Sequence, residues 1–392
     1  MQPDIIETDE EFRELCNHIR SEQLVGFDTE FVSDNTFRPV LGLLQFATRN
    51  RSAAVDPLTV TDLTPWWEIM ADDETTVIVH GGQAEIKFCL DLLGKAPRRL
   101  FDIQLAEGFR GRSYPLSYSA IVRRVVNRAV DGSQTRTDWT RRPLSDAQLE
   151  YALEDVEHLI AIFETQTTWL EKKGRLTWAE REISRLIDDI CSDDAADPWE
   201  KLPGIHKLNR RELAVLHRLA KWRKDEAAKQ DRPVRRILRD DLLVDLAKRQ
   251  PKTEKQALAT RDLNRREYRR LMAHIVEVIQ AAQDIPDDEL PEKRRSRRED
   301  ASSEEQVVSK LLALSLSNRC AELDVAYTLV ANNRDLLELV RYHRLGERNG
   351  AKPRMLDGWR EELFGRLLLD VMDGKIAFRV APQGSAAPLV FE

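Results

Sequence analysis

Two carboxylates lie two positions apart within the apolar segment Val25–Phe31. On a β-strand alternate side chains share a face, so Asp28 and Glu30 would point one way and Thr29 the other. Two acids on one face of a buried strand are costly unless a cation neutralises them, and hard oxygen ligands suit Mg²⁺ or Mn²⁺. The segment therefore indicates a metal site. The alternative is an edge strand whose polar face is solvated.

A second candidate pair, Tyr151 and Asp155, lies far along the chain. The spacing of Ser145 and Gln148 is typical of a capping box, which places the pair early in a helix. Residues four apart on a helix share one face, so the tyrosine and the aspartate would lie side by side. The pair suits a metal ligand beside a hydroxyl that orients water. A structural Tyr–Asp hydrogen bond is the alternative.

Three more polar residues lie between these segments. His80 ends an apolar run before two glycines, Glu85 follows in a helical pattern, and Asp102 ends a later run. Either acid is a candidate to join the site. A single histidine at a strand end is more often a structural residue than a ligand, and we favour that interpretation of His80.

The elements that position these residues are predicted from hydrophobic periodicity. Short strands that come early and then alternate with helices favour an α/β domain over residues 1–175, with a mixed sheet covered by helices. The predicted strands are Leu24–Phe31, Leu41–Ala47, Ala53–Asp56 and Val77–His80, and the predicted helices include Gln83–Leu93 and Ser145–Leu170.

Beyond residue 175 the strand signal ends and helical periodicity takes over. A connector at 176–205 leads to a helical unit at 206–285. The segment 286–303 has two prolines, many charges and few apolar residues, which predicts a linker. A second helical unit spans 304–380, and we expect the tail at 381–392 to be frayed.

The net charge of −7 is an average over unlike parts of the chain. Between His206 and Ala282, 21 Lys/Arg residues face 11 Asp/Glu residues, so a basic unit is joined to an acidic remainder. Such a layout suits phosphate binding in one place and metal binding in another. The alternative is that the basic unit is only a solvated helical surface.

Several classes of protein are disfavoured by the composition. No apolar run is long enough to cross a membrane, and the acidic beginning lacks the pattern of a secretory signal. Four scattered cysteines form no CxxC pair, which favours a reducing compartment over a disulfide framework or a zinc site. We therefore expect a soluble cytoplasmic protein. A glycine-rich nucleotide-binding loop is also missing, which disfavours an ATPase or a dehydrogenase.

Three motifs in order resemble the ribonuclease D family, from the tyrosine-containing branch of the DEDD 3′→5′ exonucleases. They are FDTEF at 27–31, HGGQAE at 80–85 followed by FDIQLAEGF at 101–109, and TDWTRRPLSDAQLEYALEDVEHL at 137–159. The resemblance extends over nearly the whole chain. It implies a ribonuclease H-like mixed sheet with flanking helices, followed by two all-α HRDC-like bundles at 206–285 and 304–380.

The resemblance also implies a site and a reaction. Two divalent cations, Mg²⁺ or Mn²⁺, would be bound by Asp28, Glu30, Glu85 and Asp155. Tyr151 would orient the attacking water, helped by Glu30, and hydrolysis would release 5′-mononucleotides. The implied substrates are single-stranded 3′ ends of tRNA precursors and other small structured RNAs, with no membrane and no obligatory protein partner. Asp102 is expected to support the site, and Gln45 and His80 are weaker candidates on the substrate side.

The basic unit is expected to bind phosphates without reading sequence. We expect Trp222 and Tyr268 to pack in its core rather than to stack on bases. The candidate nucleic-acid-binding residues are Arg136, Arg141, Arg142, Lys221, Arg223, Lys224, Arg235, Arg236, Arg265, Arg266 and Arg269.

Two positions depart from the family pattern. Glu85 stands where the family has an aspartate, and Gly132 where relatives often carry a lysine. The longer Glu85 side chain predicts retained activity that is slower or has a changed Mg²⁺/Mn²⁺ preference. Two other functions stay open at this point: a DNA 3′→5′ exonuclease, and a nucleic-acid-binding adaptor whose exonuclease site has decayed.

Overall fold

A six-stranded mixed sheet forms the centre of the N-terminal half. The structure is a computed structural model that describes residues 4–130, 137–195, 198–260, 262–292, 301–344, 346, 352–385 and 387–392. The strands are β1 (Ile5–Ile6), β2 (Leu24–Val32), β3 (Val40–Ala47), β4 (Ser52–Val55), β5 (Thr76–Val79) and β6 (Leu100–Asp102). They lie in the order β1-β4-β3-β2-β5-β6. The β2–β3 and β3–β4 pairs are antiparallel and the other pairs are parallel, so the predicted mixed sheet is confirmed.

Helices cover both faces of this sheet. On one face Phe27 and Phe46 pack against Trp66, with ring centroids 4.5 and 4.7 Å from it. On the other face Gly26 lies so close to Leu159 that a β-carbon would approach its side chain to 2.9 Å. The helices of this half are α1 (Asp9–Glu22), α2 (Thr64–Ala71), α3 (Gln83–Leu93), α4 (Ile103–Gly108), α5 (Tyr118–Val125), α6 (Asp146–Glu157), α7 (Leu159–Lys172) and α8 (Leu176–Ala195).

The predicted elements agree with these bounds to within one residue at most ends. The sequence analysis missed β1 and β6, which are two and three residues long and too short to show an alternating pattern. The single helix predicted at Ser145–Leu170 is wrong, because the structure breaks it at His158 into α6 and α7. At the break the Tyr118 hydroxyl donates to the Glu154 carbonyl and accepts from the His158 amide, so it takes the place of the one helical hydrogen bond that would join these two groups.

The basic unit forms a separate helical bundle with its own core. The bundle consists of α9 (Arg210–Lys229), α10 (Val234–Ile237), α11 (Asp240–Arg249), α12 (Glu254–Leu258), α13 (Arg266–Arg269) and α14 (Met272–Gln283). Trp222 and Tyr268 are buried in that core, as expected. The β2–β3 loop touches the bundle, because Phe37 packs on its core and donates its amide to Asp231.

The last helical unit packs directly against the nuclease half. It comprises α15 (Ser303–Leu323), α16 (Tyr327–Val330), α17 (Asn333–Arg344), α18 (Gly358–Arg360), a π-helical turn (Glu361–Gly365) and α19 (Arg366–Met372). Its buried residues belong to the same core as the sheet, and the Trp359 ring lies 4.9 Å from that of Phe109. The expected frayed tail instead contributes β8 (Leu389–Phe391), which pairs with β7 (Phe378–Val380).

A buried ion pair connects α8 to this last unit. Glu182 is 4% exposed and Arg360 is 3% exposed, and two of their hydrogen bonds measure 2.5 and 2.8 Å. Burial would raise the pKa of Glu182, but hydrogen bonds and charge from Arg360, Arg185 and Arg354 lower it to about 2. The carboxylate is therefore ionised and compensated by three arginines inside the shared core.

The cysteines and the helices were also the subject of predictions from the sequence. All four cysteines are free, and three of them are buried. Among the helices in the described ranges, none is long and apolar enough to cross a membrane. Burial raises the pKa of Cys16, Cys89 and Cys320 to about 12, so these thiols are poor nucleophiles.

Removing one partner of the buried pair is expected to destabilise the fold. Arg360→Met leaves Glu182 as a buried charge with weaker compensation, so the free energy of unfolding should fall by about 3–5 kcal/mol. Chemical denaturation followed by tryptophan fluorescence measures this change.

The matched control is Arg379→Met, which breaks an ion pair with Glu392 whose side chains are both largely exposed. Its effect should be at most about 1 kcal/mol. An Arg360→Met effect no larger than that of the control would contradict the role given to the buried pair.

Candidate active site

Strand β2 places two carboxylates on the face of the sheet that α6 covers. Asp28 pairs with Gln45 and Glu30 with Leu43 across β3. The register shifts after Glu30, where a bulge leaves Gly42 without a partner in β2. The Trp139 backbone packs on Gly42 so closely that a β-carbon would approach its carbonyl oxygen to 2.6 Å. The bulge therefore brings the Trp139 loop against the strand that carries Asp28 and Glu30.

Helix α6 supplies the second half of the site. The predicted capping box is confirmed, because the Ser145 hydroxyl accepts from the Gln148 amide and the Gln148 side chain accepts from the Ser145 amide. Tyr151 and Asp155 follow one turn apart, and the tyrosine hydroxyl donates to the aspartate carboxylate. The Trp139 ring, 6.2 Å from that of Tyr151, packs beside the helix.

Burial and mutual repulsion raise the pKa values of these acids. Burial, together with Asp155 and Glu85, raises the pKa of Glu30 to about 8. Burial raises the pKa of Asp155 to about 6 even though Tyr151 donates to it. The pKa of Asp28 is raised well above its ordinary value by burial and by all three neighbouring acids. Strong mutual perturbation of this kind marks a functional site.

Glu85 approaches the cluster from the start of α3. The Thr29 hydroxyl donates to its carboxylate over 2.6 Å, from the face of β2 opposite Asp28. Burial raises the pKa of Glu85 to about 7 although this hydrogen bond lowers it. Among the described residues, no three acidic, histidine or cysteine side chains stand together as a ready set of metal ligands. Glu85 thus raises the pKa values of Asp28 and Glu30 by its charge, while its own carboxylate accepts from Thr29.

A tight turn before α3 fixes the position of Glu85. The Asp102 carboxylate accepts from the backbone amides of Gly81 and Gly82, and also from two amides at the start of α4. Gly81 has a φ of +67°, which favours glycine, and a β-carbon on Gly82 would approach the Val79 side chain to 2.4 Å. Asp102 therefore organises the turn that leads into α3.

His80 and Gln45 do not face a substrate. A ring nitrogen of His80 lies 2.9 Å from the Leu116 carbonyl oxygen, so its side chain is held by the backbone before α5. Gln45 is fully buried beneath α6, so the prediction that it contacts substrate is wrong. It pairs with Asp28 in the sheet and belongs to the interior of the site.

Two residues near the site were missed by the sequence analysis. Thr29 was expected only to point away from the acids, and its hydrogen bond to Glu85 spans 56 positions. Tyr118 lies 9% exposed beside Asp155 and fixes the end of α6 through its hydroxyl. No local spacing could have signalled either contact, because both depend on how α3 and α5 pack.

Two predicted nucleic-acid-binding arginines are used by the fold instead. The Arg142 guanidinium donates to the Asp56 carboxylate and to the carbonyls of Gly42 and Trp139, so it holds the loop against the sheet. Arg223 is 5% exposed and donates to Asp240 and to the Leu238 carbonyl. Both predictions are wrong, because the charge of each arginine is compensated inside the protein.

The other basic candidates keep their surface positions. Arg136 lies outside the described residues, as does Gly132. Arg235 also pairs with Asp240, although its side chain is largely exposed. The exposed candidates are Arg141, Lys221, Lys224, Arg235, Arg236, Arg265, Arg266 and Arg269.

Comparison with known proteins gives this arrangement a family. A 3′-5′ exonuclease model matches residues 3–170, and an HRDC domain model matches residues 212–279. Ribonuclease D of Zymomonas mobilis is 32% identical over 381 residues, covering 96% of this chain and 95% of its own. The chain belongs to the ribonuclease D family. Ribonuclease D of Granulibacter bethesdensis is also 32% identical, and the match covers 96% of this chain and 94% of that one.

The fold comparison agrees with this membership. The crystal structure of Escherichia coli RNase D, described as an exoribonuclease involved in structured RNA processing, superimposes with a TM-score of 0.83. The two chains are 27% identical, and the match covers 95% of this chain and 99% of that one. The predicted family and the predicted 3′→5′ exoribonuclease activity, a hydrolase reaction, are confirmed at the level of the family.

Family membership implies dependence on divalent metal ions, and the residues present fit that requirement. Asp28, Glu30, Glu85 and Asp155 offer only oxygen donors, which hard divalent cations prefer. In the described ranges none of the four forms an ion pair with a lysine or arginine. Burial disfavours the ionised form of each of these acids, and a nearby cation would favour it.

These pKa values predict how stability depends on pH in the presence of EDTA. The folded-state pKa values of Glu30, Glu85 and Asp155, about 8, 7 and 6, exceed their ordinary values. The folded protein therefore binds more protons than the unfolded chain, and the stability that these groups contribute at low pH is lost as pH rises through 6 to 8. The melting temperature in EDTA should fall between about pH 5 and pH 8.

The control is Glu30→Gln, which removes one of the raised pKa values. Its melting temperature should fall less steeply over the same range, and saturating Mg²⁺ should flatten the dependence in the parent, because metal binds the deprotonated acids. Equal slopes for the parent and Glu30→Gln in EDTA would refute the assignment of this pH dependence to the acid cluster.

Proposed function

We propose that this chain hydrolyses the last phosphodiester of an RNA strand by a two-metal mechanism and releases 5′-mononucleotides. The observation that carries the proposal is the set of four carboxylates on β2, α3 and α6, whose pKa values are all raised by burial and, for Asp28 and Glu30, also by the other acids. Burying ionised carboxylates destabilises the folded protein. Divalent cations would compensate their charge, and the removal of this destabilisation favours cation binding.

Each acid then has a part in binding. Asp28, Glu30, Glu85 and Asp155 would hold two cations, Mg²⁺ or Mn²⁺, and the fixed strand and helix keep their carboxylates in place. Bound cations of this kind lower the pKa of water and neutralise the charge on the attacked phosphate and the leaving 3′ oxygen. Because the phosphodiester is anionic, the bare acids would repel it.

Tyr151 and Glu30 are the proposed catalytic residues beyond metal binding. The Tyr151 hydroxyl donates to Asp155, and because a hydroxyl oxygen can accept as well as donate, it is suited to orient the attacking water. Glu30, with a pKa near 8 before cations bind, becomes a base suited to receive the proton from that water once it is ionised. The pair orients the water for attack on the phosphorus.

Glu85 is the proposed cause of a changed metal response. Its carboxylate is held by Thr29, so the side chain must leave that hydrogen bond to reach the cluster. An aspartate is one methylene shorter and would not make the same contact with Thr29. We therefore propose slower turnover, or a preference between Mg²⁺ and Mn²⁺ that differs from that of an aspartate-containing site.

Three substitutions test the site. Asp155→Asn should abolish release of 5′-mononucleotides from 3′-labelled single-stranded RNA, and Tyr151→Phe should lower kcat by about 10²-fold or more. Glu85→Asp should reduce the Mg²⁺ concentration needed for half-maximal rate, because no hydrogen bond to Thr29 must be broken. Rates are measured in Mg²⁺, in Mn²⁺ and in EDTA, with a DNA strand of the same sequence beside the RNA.

The outcomes separate the open alternatives. Release that survives in Asp155→Asn would contradict the site. Faster degradation of DNA would favour the DNA exonuclease, and tight RNA binding without release in either metal would favour the adaptor. A circular-dichroism spectrum and a melting curve for each variant control for loss of the fold.

We also propose a surface that holds RNA upstream of its 3′ end. A cavity of about 880 Å³ opens between the β2–β3 loop and α9. Phe37, Trp199 and His217 contribute rings to it, and the last two lie 5.5 Å apart. Four cationic residues, Arg218, Lys221, Arg223 and Lys224, also line it, against the two acids Asp225 and Glu289, and the Arg223 guanidinium is already paired with Asp240.

The cavity lies at the loop that follows β2, the strand that carries two of the acids. Phe37 follows β2, the strand that carries Asp28 and Glu30, within the same loop that touches the bundle. A single strand whose phosphates contact Lys221 and Lys224 would therefore pass the loop before its 3′ end reaches the acids. Structured RNAs with single-stranded 3′ ends, such as tRNA precursors, are the proposed substrates, and the cytoplasm is the proposed location.

Binding measurements test this surface apart from catalysis. The double substitution Lys221→Ala/Lys224→Ala should weaken binding of a single-stranded RNA in EDTA, measured by fluorescence anisotropy. The slope of log K against log salt should become shallower by about 1.4, since each lost phosphate contact on a single strand contributes about 0.7.

The matched control is Lys252→Ala/Lys255→Ala, two exposed lysines of the same bundle that do not line the cavity. An equal loss of affinity in both double variants would mean that the bundle attracts RNA by its overall charge alone, and would overturn the proposal of a defined surface.

A further inference from the structure

Gln45 is buried directly beside a proposed metal ligand. It lies on β3 between Asp28 of β2 and Ala54 of β4. Residues directly opposite in an antiparallel pair point to the same face, with β-carbons about 4.5–5.5 Å apart. The Gln45 side chain therefore lies next to that of Asp28, on the face covered by α6, and its exposed fraction is 0%.

The side-chain amide of Gln45 has no hydrogen-bond partner. Among the described residues, neither its Oε1 nor its Nε2 atom meets a donor or an acceptor. The same face carries an apolar cluster that includes Leu43, Ala54 and Ala152. An unpaired amide in such a layer lowers stability, and an apolar residue of the same length would fill the space without that cost.

We propose that Gln45 is a positioning residue whose amide N–H donates to the Asp28 carboxylate when a divalent cation is bound there. This inference rests on the proposed function, because it requires a cation at Asp28. A neutral amide suits the role, since it orients one carboxylate oxygen without competing with the cation for negative charge. Groups that orient metal-binding carboxylates in this way commonly change metal affinity 10- to 100-fold.

The residues around Asp28 and Gln45 either have apolar side chains or already donate to another acid. Leu43, opposite Glu30, and Ala54, beside Gln45, carry no polar side chain. Tyr151 already donates to Asp155, and Thr29 donates to Glu85 from the opposite face. Asp155 and Glu85 thus each accept a hydrogen bond from a side chain. In the described part of the chain Asp28 has no such side-chain donor, and the Gln45 amide is the polar group buried beside it.

The experiment measures stability and metal binding in the same protein. Gln45→Leu and the less branched Gln45→Met are melted in EDTA and then across a Mn²⁺ titration, in which the rise of the melting temperature reports binding. We expect a melting temperature in EDTA equal to or above that of the parent. The Mn²⁺ concentration at half of the maximal rise should increase 10- to 100-fold.

The matched control is Gln166→Leu, at a second fully buried glutamine, which donates to the Ile103 carbonyl and to Glu107. It should lower the melting temperature in EDTA and leave the Mn²⁺ midpoint unchanged. A Mn²⁺ midpoint within twofold of the parent in both Gln45 variants would overturn the proposal.

Failure of the proposed function gives a different result. If the acids do not bind a cation, the parent itself shows no Mn²⁺-dependent rise that Asp155→Asn reduces. If they do bind one and Gln45 has no part in it, the parent and the Gln45 variants share one midpoint.

Discussion

The burial of four carboxylates, two of which are also repelled by the others, is the constraint on which the rest of this site depends. Asp28 and Glu30 are fixed to a central strand, and Asp155 to a helix packed across it, so none of them can move away. The surrounding groups that donate to the acids are neutral hydroxyls, Thr29 and Tyr151. They stabilise the charge of the acids only in part, and bound cations would compensate the rest of that charge.

The arginines near the site act on the scaffold rather than on the acids. Arg142 pairs with Asp56 and holds the Trp139 loop on the bulged strand, while Arg360 pairs with Glu182 behind the sheet. Placing these cations away from the cluster keeps its negative charge uncompensated. Arg142 also restrains the site, because it fixes the Trp139 loop against β3, the neighbour of the strand that carries Asp28 and Glu30. Arg142 thus has its charge compensated by Asp56 and at the same time restrains the loop beside the acids.

The parts of this site that follow from local rules could be predicted from the sequence, and the parts that depend on distant packing could not. Strand alternation predicted the shared face of Asp28 and Glu30, and helical spacing predicted the Tyr151–Asp155 pair. The hydrogen bond between Thr29 and Glu85 joins residues 56 positions apart, and local patterns do not reveal it. The list of candidate nucleic-acid-binding residues was too long for a similar reason, since Arg142 pairs with Asp56 and the buried Arg223 with Asp240, contacts that a composition does not show.

The shared core of the nuclease half and the last helical unit has a consequence for the order of events during synthesis. Glu182 and Arg360 are 178 residues apart. At about 5–20 residues per second, a ribosome needs roughly 9–36 s to make the second after the first. During that interval the surface around Phe109 and Glu182 is uncovered, and the nuclease half lacks the helices that complete its core. The nuclease half therefore completes this part of its core only after Arg360, 178 residues beyond Glu182, has been translated.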